Sequence, residues 1–294
     1  MNSPTPFPID WNLLSPILWV AIAGVIALVV LMFEKKRNNW PIISVCLIGL
    51  LGAGAVLVQQ LTLPDSSTLG GQLLRDRTGL MLQLGLVGSC FLAMLFSEGY
   101  LRQKGIAFAE FYPLAMWSTV GGMLMVASTN LLIIFLGLEV LSIALYVLAG
   151  MSRQESKSEE SAIKYFLLGA FASGFLLYGI AFFYGATGSV QLEHLGAAWA
   201  TQDQTMRGLL IFSIGLMLIG MCFKAAFVPF HQWTPDVYQG APTNVTAFMA
   251  AGSKIAAIGA LYRILEAAVP ARDLWMPALF WIAVLTMTVG NLIA

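Results

Sequence analysis

Apolar runs of about 20 residues recur along this 294-residue chain and leave only short polar connections between them. At ~1.5 Å per residue, a run of that length crosses the ~30 Å hydrocarbon core of a bilayer as a helix. A transmembrane barrel would alternate apolar and polar residues instead. The pattern therefore predicts an all-α polytopic transmembrane bundle. About nine spans are expected, near 15–33, 41–61, 78–97, 107–126, 130–149, 161–184, 208–232, 242–266 and 273–294.

Basic residues are unevenly divided between the two sides of these spans. The connections after spans one, three and five contain Lys35, Lys36, Arg37, Arg102, Lys104, Arg153 and Lys157, and the other side has Arg75, Arg77, Arg207 and Arg272. The positive-inside rule then predicts an outer N-terminus. Because no Lys or Arg precedes the first run, we interpret it as a retained span and not as a signal peptide.

The remaining composition excludes several classes of function. The 15 basic and 15 acidic residues cancel, so neither a basic face for nucleic acid nor an acidic tail is expected. Cys46, Cys90 and Cys222 lie apart in apolar runs, which favours core packing over disulfide or metal chemistry. The polar connections 62–77 and 185–207 are too short for an independent soluble domain.

Four charged residues fall inside the apolar runs, where a charge costs roughly 2.5–3.5 kcal/mol on insertion scales: Glu139, Lys164, Lys224 and Lys254. Glu139 follows Asn130 by nine residues, about 13 Å into the bilayer. Lys254 follows Pro242 by twelve residues, about 18 Å in, and small neighbours favour its burial among helices. Such residues mark ion or proton paths by default.

Lys224 precedes a predicted break in its span. Pro229 has no N–H for the carbonyl of Ala225 and disfavours a helical Val228, so the helix should break or kink just after the lysine. Transporters place ion sites at such broken helices. The alternative is a kink that only helps packing.

Lys164 and His231 are more ambiguous. Lys164 lies a few residues into its span, so its long side chain can either join a proton path or reach the interface. His231 can either relay a proton or form a hydrogen bond at a helix end. In general, burial disfavours the charged forms of Lys and Glu and a nearby opposite charge favours them, so their approach or separation can load or expel a proton.

Three segments carry a family resemblance: LLIIFLGLEVLSIALYVLAG, SAIKYFLLGAFASGFLLYGIAFFYGATGS and FKAAFVPFHQWTPDVYQGAPTNVTAF. From about Glu110 onward the chain resembles the subunit N family of respiratory complex I, whose members are antiporter-like proton-translocating membrane subunits. By motif, Glu139 matches the family's glutamate of the fifth helix. Lys164, Lys224 and Lys254 match its lysines of the sixth, broken seventh and eighth helices, and His231 matches the histidine of the PFHxWxPD segment.

The resemblance also implies an architecture. The family has about fourteen helices with two inverted five-helix repeats, each with a broken helix. We therefore expect a three-helix segment at 1–104, a first repeat at 105–268 and the start of a second repeat at 269–294. The second repeat is otherwise missing, so the chain is expected to be truncated relative to the family.

The implied function is a translocase subunit of NADH:quinone oxidoreductase in a bacterial inner membrane. It would bind no cofactor itself, with NAD(H), FMN, iron–sulfur clusters and quinone on partner subunits, and paralogous antiporter-like subunits beside it. The alternatives are a subunit of a cation/proton antiporter and a membrane scaffold with vestigial charges. The TPDVYQGAPT segment favours the complex I subunit.

Overall fold

Helices dominate the computed structural model, which describes residues 9–33, 39–106, 108–201 and 204–293. The basic residues Lys35, Lys36 and Arg37 lie outside the described residues. The α-helices are α1 Trp11–Phe33, α2 Trp40–Gln60, α3 Arg77–Lys104, α4 Phe111–Ala127, α5 Leu131–Ala149, α6 Ser156–Thr187, α7 His194–Thr201, α8 Gln204–Ala225, α9 Trp233–Gly240, α10 Thr243–Phe248, α11 Lys254–Ala267 and α12 Arg272–Ile293. A π-helical turn, Met249–Ser253, joins α10 to α11, and a 3₁₀ turn, Val269–Ala271, precedes α12.

The predicted bundle of spans is confirmed. In the described part of the chain, eight helical segments are long and apolar enough to cross a membrane, and α4 is a shorter apolar helix. They correspond one to one with the nine predicted runs. Helix α4 packs between α1 and α5, and α6 packs along α8.

The predicted end of the third span is wrong. Helix α3 continues to Lys104 and ends at Gly105, which adopts the left-handed conformation (φ 69°) that glycine tolerates best. The continuation buries Glu98, whose carboxylate accepts hydrogen bonds from Tyr112 (2.7 Å) and Asn39 (2.9 Å). Those donors compensate for a charge that the sequence had assigned to a loop.

The connections on the predicted outer side are more ordered than their polar sequence suggested. Strands β1 (Ser66–Thr68) and β2 (Leu73–Arg75) form an antiparallel hairpin. Isolated bridges link Leu73 to Ser128 and Asn130 to Gln191. These backbone contacts join the α2–α3, α4–α5 and α6–α7 connections into one layer.

Helix α8 breaks where the sequence predicted, but for a different reason. It ends at Ala225 because Ala226 takes the left-handed conformation (φ 62°) and the amide of Phe227 donates back to the carbonyl of Cys222 (2.9 Å). These features form a Schellman motif with alanine at the position usually held by glycine. The helix has therefore ended before Pro229 can remove a hydrogen bond from it.

Helix α12 is the least packed span. No residue of Arg272–Ile293 is buried. The side chain of Thr286 nevertheless reaches the break, where its hydroxyl accepts the backbone N–H of Val228 (3.0 Å).

Candidate functional site

Lys224 lies at the centre of a buried polar cluster at the end of α8. Its side chain is 3% exposed, and its Nζ donates to the Oγ of Ser142 (2.7 Å) and the hydroxyl of Tyr165 (3.1 Å). The same Nζ lies 5.2 Å from the ring centre of Tyr165 and 5.8 Å from that of Tyr146. Among the described residues no carboxylate lies within ion-pair distance of Lys224. Hydroxyl groups and aromatic faces therefore form its immediate surroundings.

Glu139 belongs to the same cluster. It precedes Ser142 by three residues and Tyr146 by seven, so all three side chains share one face of α5. Its Oε1 is buried and has no hydrogen-bond partner among the described residues. Ser142, on the same face, contacts Lys224 directly, whereas no ion pair joins Glu139 to Lys224 among the described residues.

Lys254, the first residue of α11, also contacts the cluster. Its half-buried side chain donates from Nζ to the backbone carbonyl of Lys224 (3.2 Å). Its Nζ also lies 4.7 Å from the ring centre of Trp233. Trp233 in turn stacks on Tyr165 at 4.6 Å and 12°, so a pair of stacked rings contacts both lysines.

His231 lies in the turn between the break and α9. Its Nδ1 is buried and unpartnered within the described part of the chain, as are the hydroxyls of Thr234 and Tyr238. The amide of Thr234 donates to the carbonyl of His231 (2.8 Å), and Tyr238 follows four residues later. At that helical spacing Thr234 and Tyr238 share one face of α9, and His231 precedes them in the turn.

The structure places Lys164 outside this cluster. Its side chain is 42% exposed, and its Nζ lies 2.6 Å from Asp236 and 2.7 Å from Glu160. These three residues line a polar surface cleft of about 130 Å³ between the start of α6 and α9. The cluster thus brings Glu139, Lys224 and Lys254 together and leaves Lys164 at the surface.

The contact residues of the lysines were missed at the sequence level. Ser142, Tyr165, Trp233 and Tyr238 are ordinary residue types in apolar helices. The available signal was positional: Ser142 follows Glu139 at helical spacing, and Tyr165 adjoins Lys164. Ser142 and Tyr165 are 82 and 59 residues from Lys224 in sequence, and Trp233 and Tyr238 contact Lys254 instead, so no local pattern reveals these pairings.

No group of His, Cys, Asp or Glu that could hold a metal ion is found among the described residues. Cys46, Cys90 and Cys222 are buried and free. A cavity of about 10 Å³ beside Lys224 is lined in part by Ser142 and Ser173. A cavity of that size approaches what one water molecule requires.

A polytopic helical bundle with a broken helix and a buried lysine beside the break defines the antiporter-like class of membrane proteins. The family model described as "NADH:quinone oxidoreductase/Mrp antiporter, TM" matches residues 128–294, more than half of the chain. The chain therefore belongs to the NADH:quinone oxidoreductase/Mrp antiporter transmembrane family.

Curated relatives carry the name NADH-quinone oxidoreductase subunit N. The chain is 41% identical to that of Trichlorobacter lovleyi over 97% of this chain and 59% of the relative. It is 51% identical to that of a Nocardioides species over 67% of this chain and 37% of the relative. The chain thus spans about three fifths or less of the length of these relatives.

Solved structures agree with the fold. A chain of respiratory complex I from Thermus thermophilus aligns with a TM-score of 0.77 at 34% identity, covering 94% of this chain and 57% of that one. A chain of the Mrp complex from Dietzia aligns with a TM-score of 0.76 at 21% identity, covering 97% and 54%. At that lower identity the second match supports the fold alone.

Proposed function

We propose that this chain carries part of the proton path of a membrane subunit of NADH:quinone oxidoreductase. The observation that carries the proposal is Lys224, fully buried beside a helix break, held by two hydroxyls and contacted through its own carbonyl by Lys254. A buried charge without a paired counter-ion is expensive, so its retention favours a functional use.

Glu139 and Lys224 would form the loading element of this path. The carboxylate shares a face of α5 with Ser142, which binds Lys224, and has one buried oxygen without a hydrogen bond among the described residues. When Glu139 is ionised it favours the protonated lysine, and when its charge is neutralised or withdrawn that support is lost. A small movement of α5 relative to α8 would then transfer a proton onward to Lys254.

Water would complete the relay. The unpartnered atoms of Thr234 and Tyr238 follow one face of α9, and that of His231 lies in the turn before it. Buried waters typically form two to four hydrogen bonds to such otherwise unsatisfied groups. We infer that this face holds the waters that hydrate Lys254, with His231 as a relay between them.

Lys164 would act at the entrance of the path. Its cleft with Glu160 and Asp236 is polar and open. Titratable groups there exchange protons with bulk water, and the cleft lies at the end of α9 where the positive-inside rule predicts the cytoplasm. The N-terminus would then be on the outer side of a bacterial inner membrane.

The proposal assigns the redox chemistry to other chains. NAD(H), FMN, the iron–sulfur clusters and the quinone would bind partner subunits, and paralogous antiporter-like subunits would lie beside this one. Residues 1–104 would form a supporting three-helix segment, 105–268 the first repeat, and 269–294 the start of a second. The translocase activity would belong to the assembly.

The test is NADH-driven proton pumping in membrane vesicles that contain the full-length subunit in its complex. Lys224→Ala and Lys254→Ala should abolish most of the pumping by this subunit while the complex still assembles. Lys104→Ala is the matched control, because that lysine is exposed at the end of α3. Protons pumped per electron equal to the control in both variants would refute the proposal.

A subunit of a cation/proton antiporter is the second candidate, since the matched family includes Mrp antiporters. Its test is Na⁺ or K⁺ exchange in vesicles that lack an NADH donor. Exchange that disappears in Lys224→Ala would favour the antiporter over the complex I subunit.

A further inference from the structure

Arg263 is an arginine buried inside a membrane span and is not used by the proposed proton path. Its side chain is 4% exposed. Its Nε donates to the carbonyl of Val126 (3.0 Å), and its Nη1 donates to one carboxylate oxygen of Asp76 (3.0 Å). Its Nη2 donates to the other oxygen of Asp76, so the ion pair is bidentate. Bidentate pairs of this kind fix geometry as well as charge.

The three partners belong to three different helices. Asp76 immediately precedes α3, Val126 lies in the last turn of α4, and Arg263 lies in α11. The carbonyl of Val126 is one of the last four of its helix, which have no partner within that helix. Arg263 therefore satisfies the end of α4 and pairs with the start of α3 at the same time.

The surrounding glycines leave room for this arrangement. A Cβ on Gly79 would lie 2.7 Å from Nη2 of Arg263 and 2.8 Å from a carboxylate oxygen of Asp76. A Cβ on Gly259, one turn before the arginine, would lie 2.6 Å from the side chain of Val126. Side chains at either position would push α11 away from α3 and α4.

The ion pair and Lys254 lie on opposite faces of one helix. They are nine residues apart, which is ~13.5 Å along the axis and about half a turn around it. Lys254 directs its amine toward α8, while Arg263 faces α3 and α4. A π-helical turn directly precedes Lys254, so the α-helical register of α10 is interrupted before α11 begins. The rotation of Lys254 is therefore not fixed by α10.

We propose that Arg263 and Asp76 are positioning residues for Lys254. They hold the depth and rotation of α11 from its far end, so that the amine of Lys254 stays within reach of the carbonyl of Lys224. Because arginine remains protonated in proteins, Arg263 does not itself release a proton to the path. The inference rests on the proposed proton path, in which Lys254 receives the proton.

The test compares four changes in the full-length subunit within its complex: Arg263→Ala, Arg263→Lys, Asp76→Asn, and the exchange of Asp76→Arg with Arg263→Asp. Arg272→Ala is the control, because that side chain is 66% exposed at the start of α12. Each is measured for assembled complex, electron transfer from NADH to quinone, and protons pumped per electron. Lys254→Ala is measured beside them.

We expect Arg263→Ala to reduce the amount of complex. Arg263→Lys and Asp76→Asn keep much of the side-chain volume, so we expect them to assemble and to pump at least twofold fewer protons per electron through this subunit than Arg272→Ala. The charge exchange should recover part of the loss. A lysine ammonium cannot form the bidentate contact that arginine makes with Asp76, so keeping the positive charge at position 263 should not be enough to keep pumping.

Two results would overturn the inference, and they distinguish failure of the positioning role from failure of the proton path. If Lys254→Ala lowers pumping but the assembled Arg263 and Asp76 variants pump like Arg272→Ala, the ion pair is only a structural tie and the proton path stands. If Lys254→Ala also leaves pumping unchanged, the proton path itself has failed and the positioning role fails with it.

Discussion

Gly121→Ala is expected to destabilise the bundle at the crossing of α4 and α5. A Cβ at this position would lie 2.5 Å from the carbonyl oxygen of Gly137 and 2.5 Å from the amide nitrogen of Leu141. Both are backbone atoms, so no side-chain rotation can relieve the contact. The contact is close from the other side too, since a Cβ on Gly137 would lie 2.7 Å from the carbonyl oxygen of Gly121.

The loss of folding free energy follows from the distance by which α4 and α5 would have to move apart. Restoring a ~3.5 Å separation requires the two backbones to move apart by about 1 Å. Overpacking of this kind typically costs 1–3 kcal/mol. At 1.4 kcal/mol per factor of ten, that is about a 5- to 150-fold fall in the ratio of folded to unfolded subunit. Small residues at such crossings are what allow membrane helices to approach closely.

The assay is the temperature at which half of the complex is lost from detergent extracts, followed on native gels. Gly174→Ala is the control, because Gly174 is an exposed residue of α6 and a Cβ there meets no heavy atom within 4 Å. Gly121→Ala should lower the midpoint by several degrees, and Gly174→Ala should leave it unchanged or raise it slightly. Equal midpoints for the two variants would refute the close crossing.

Two further predictions concern the contacts of the lysines. Ser142→Ala removes one of the two hydroxyl acceptors of Lys224. A hydrogen bond to a charged group contributes about 1.5–3 kcal/mol, so pumping should slow about tenfold or more. Ser173→Ala, in the same cavity, is the control and should leave the pumping rate unchanged. Thr286→Val keeps the side-chain shape but leaves the buried N–H of Val228 without its acceptor, a penalty of about 1–3 kcal/mol. Normal assembly with fewer protons per electron is expected, and wild-type pumping would contradict the assigned contact.

The sequence predicted the spans and the internal positions of Lys224 and Lys254 because both depend on hydrophobicity, and it left Lys164 undecided. Charges stand out in apolar runs, and counting residues from a polar end gives their depth. The same reasoning missed Glu98, which directly follows the predicted third span, and Arg263, which lies near the end of the predicted eighth span 242–266 and was not counted as an internal charge. Their burial depends on donors and acceptors supplied by other helices, such as Tyr112 for Glu98. Long-range partners of that kind leave no periodic signal.

The break in α8 was likewise predicted at the right place with the wrong cause. Pro229 is the obvious sequence signal, yet the helix ends at the left-handed Ala226. A non-glycine residue in that conformation costs roughly 1–2 kcal/mol, and no propensity rule favours it there. The compensation comes from tertiary contacts, including the indole N–H of Trp233, which donates to the carbonyl of Phe223 (3.0 Å).

The break matters because it releases one donor and one acceptor that a continuous helix would pair. In an uninterrupted α8 the carbonyl of Lys224 would accept the N–H of Val228, four residues later. Instead the carbonyl accepts the amine of Lys254 in α11, and the N–H donates to Thr286 in α12. The carbonyl of Lys224 and the N–H of Val228, which would have paired with each other, therefore connect the end of α8 to two other spans. A displacement of either span changes the surroundings of Lys224 directly, which is how motion elsewhere in an assembly could reach a buried lysine without any charged residue moving through the membrane.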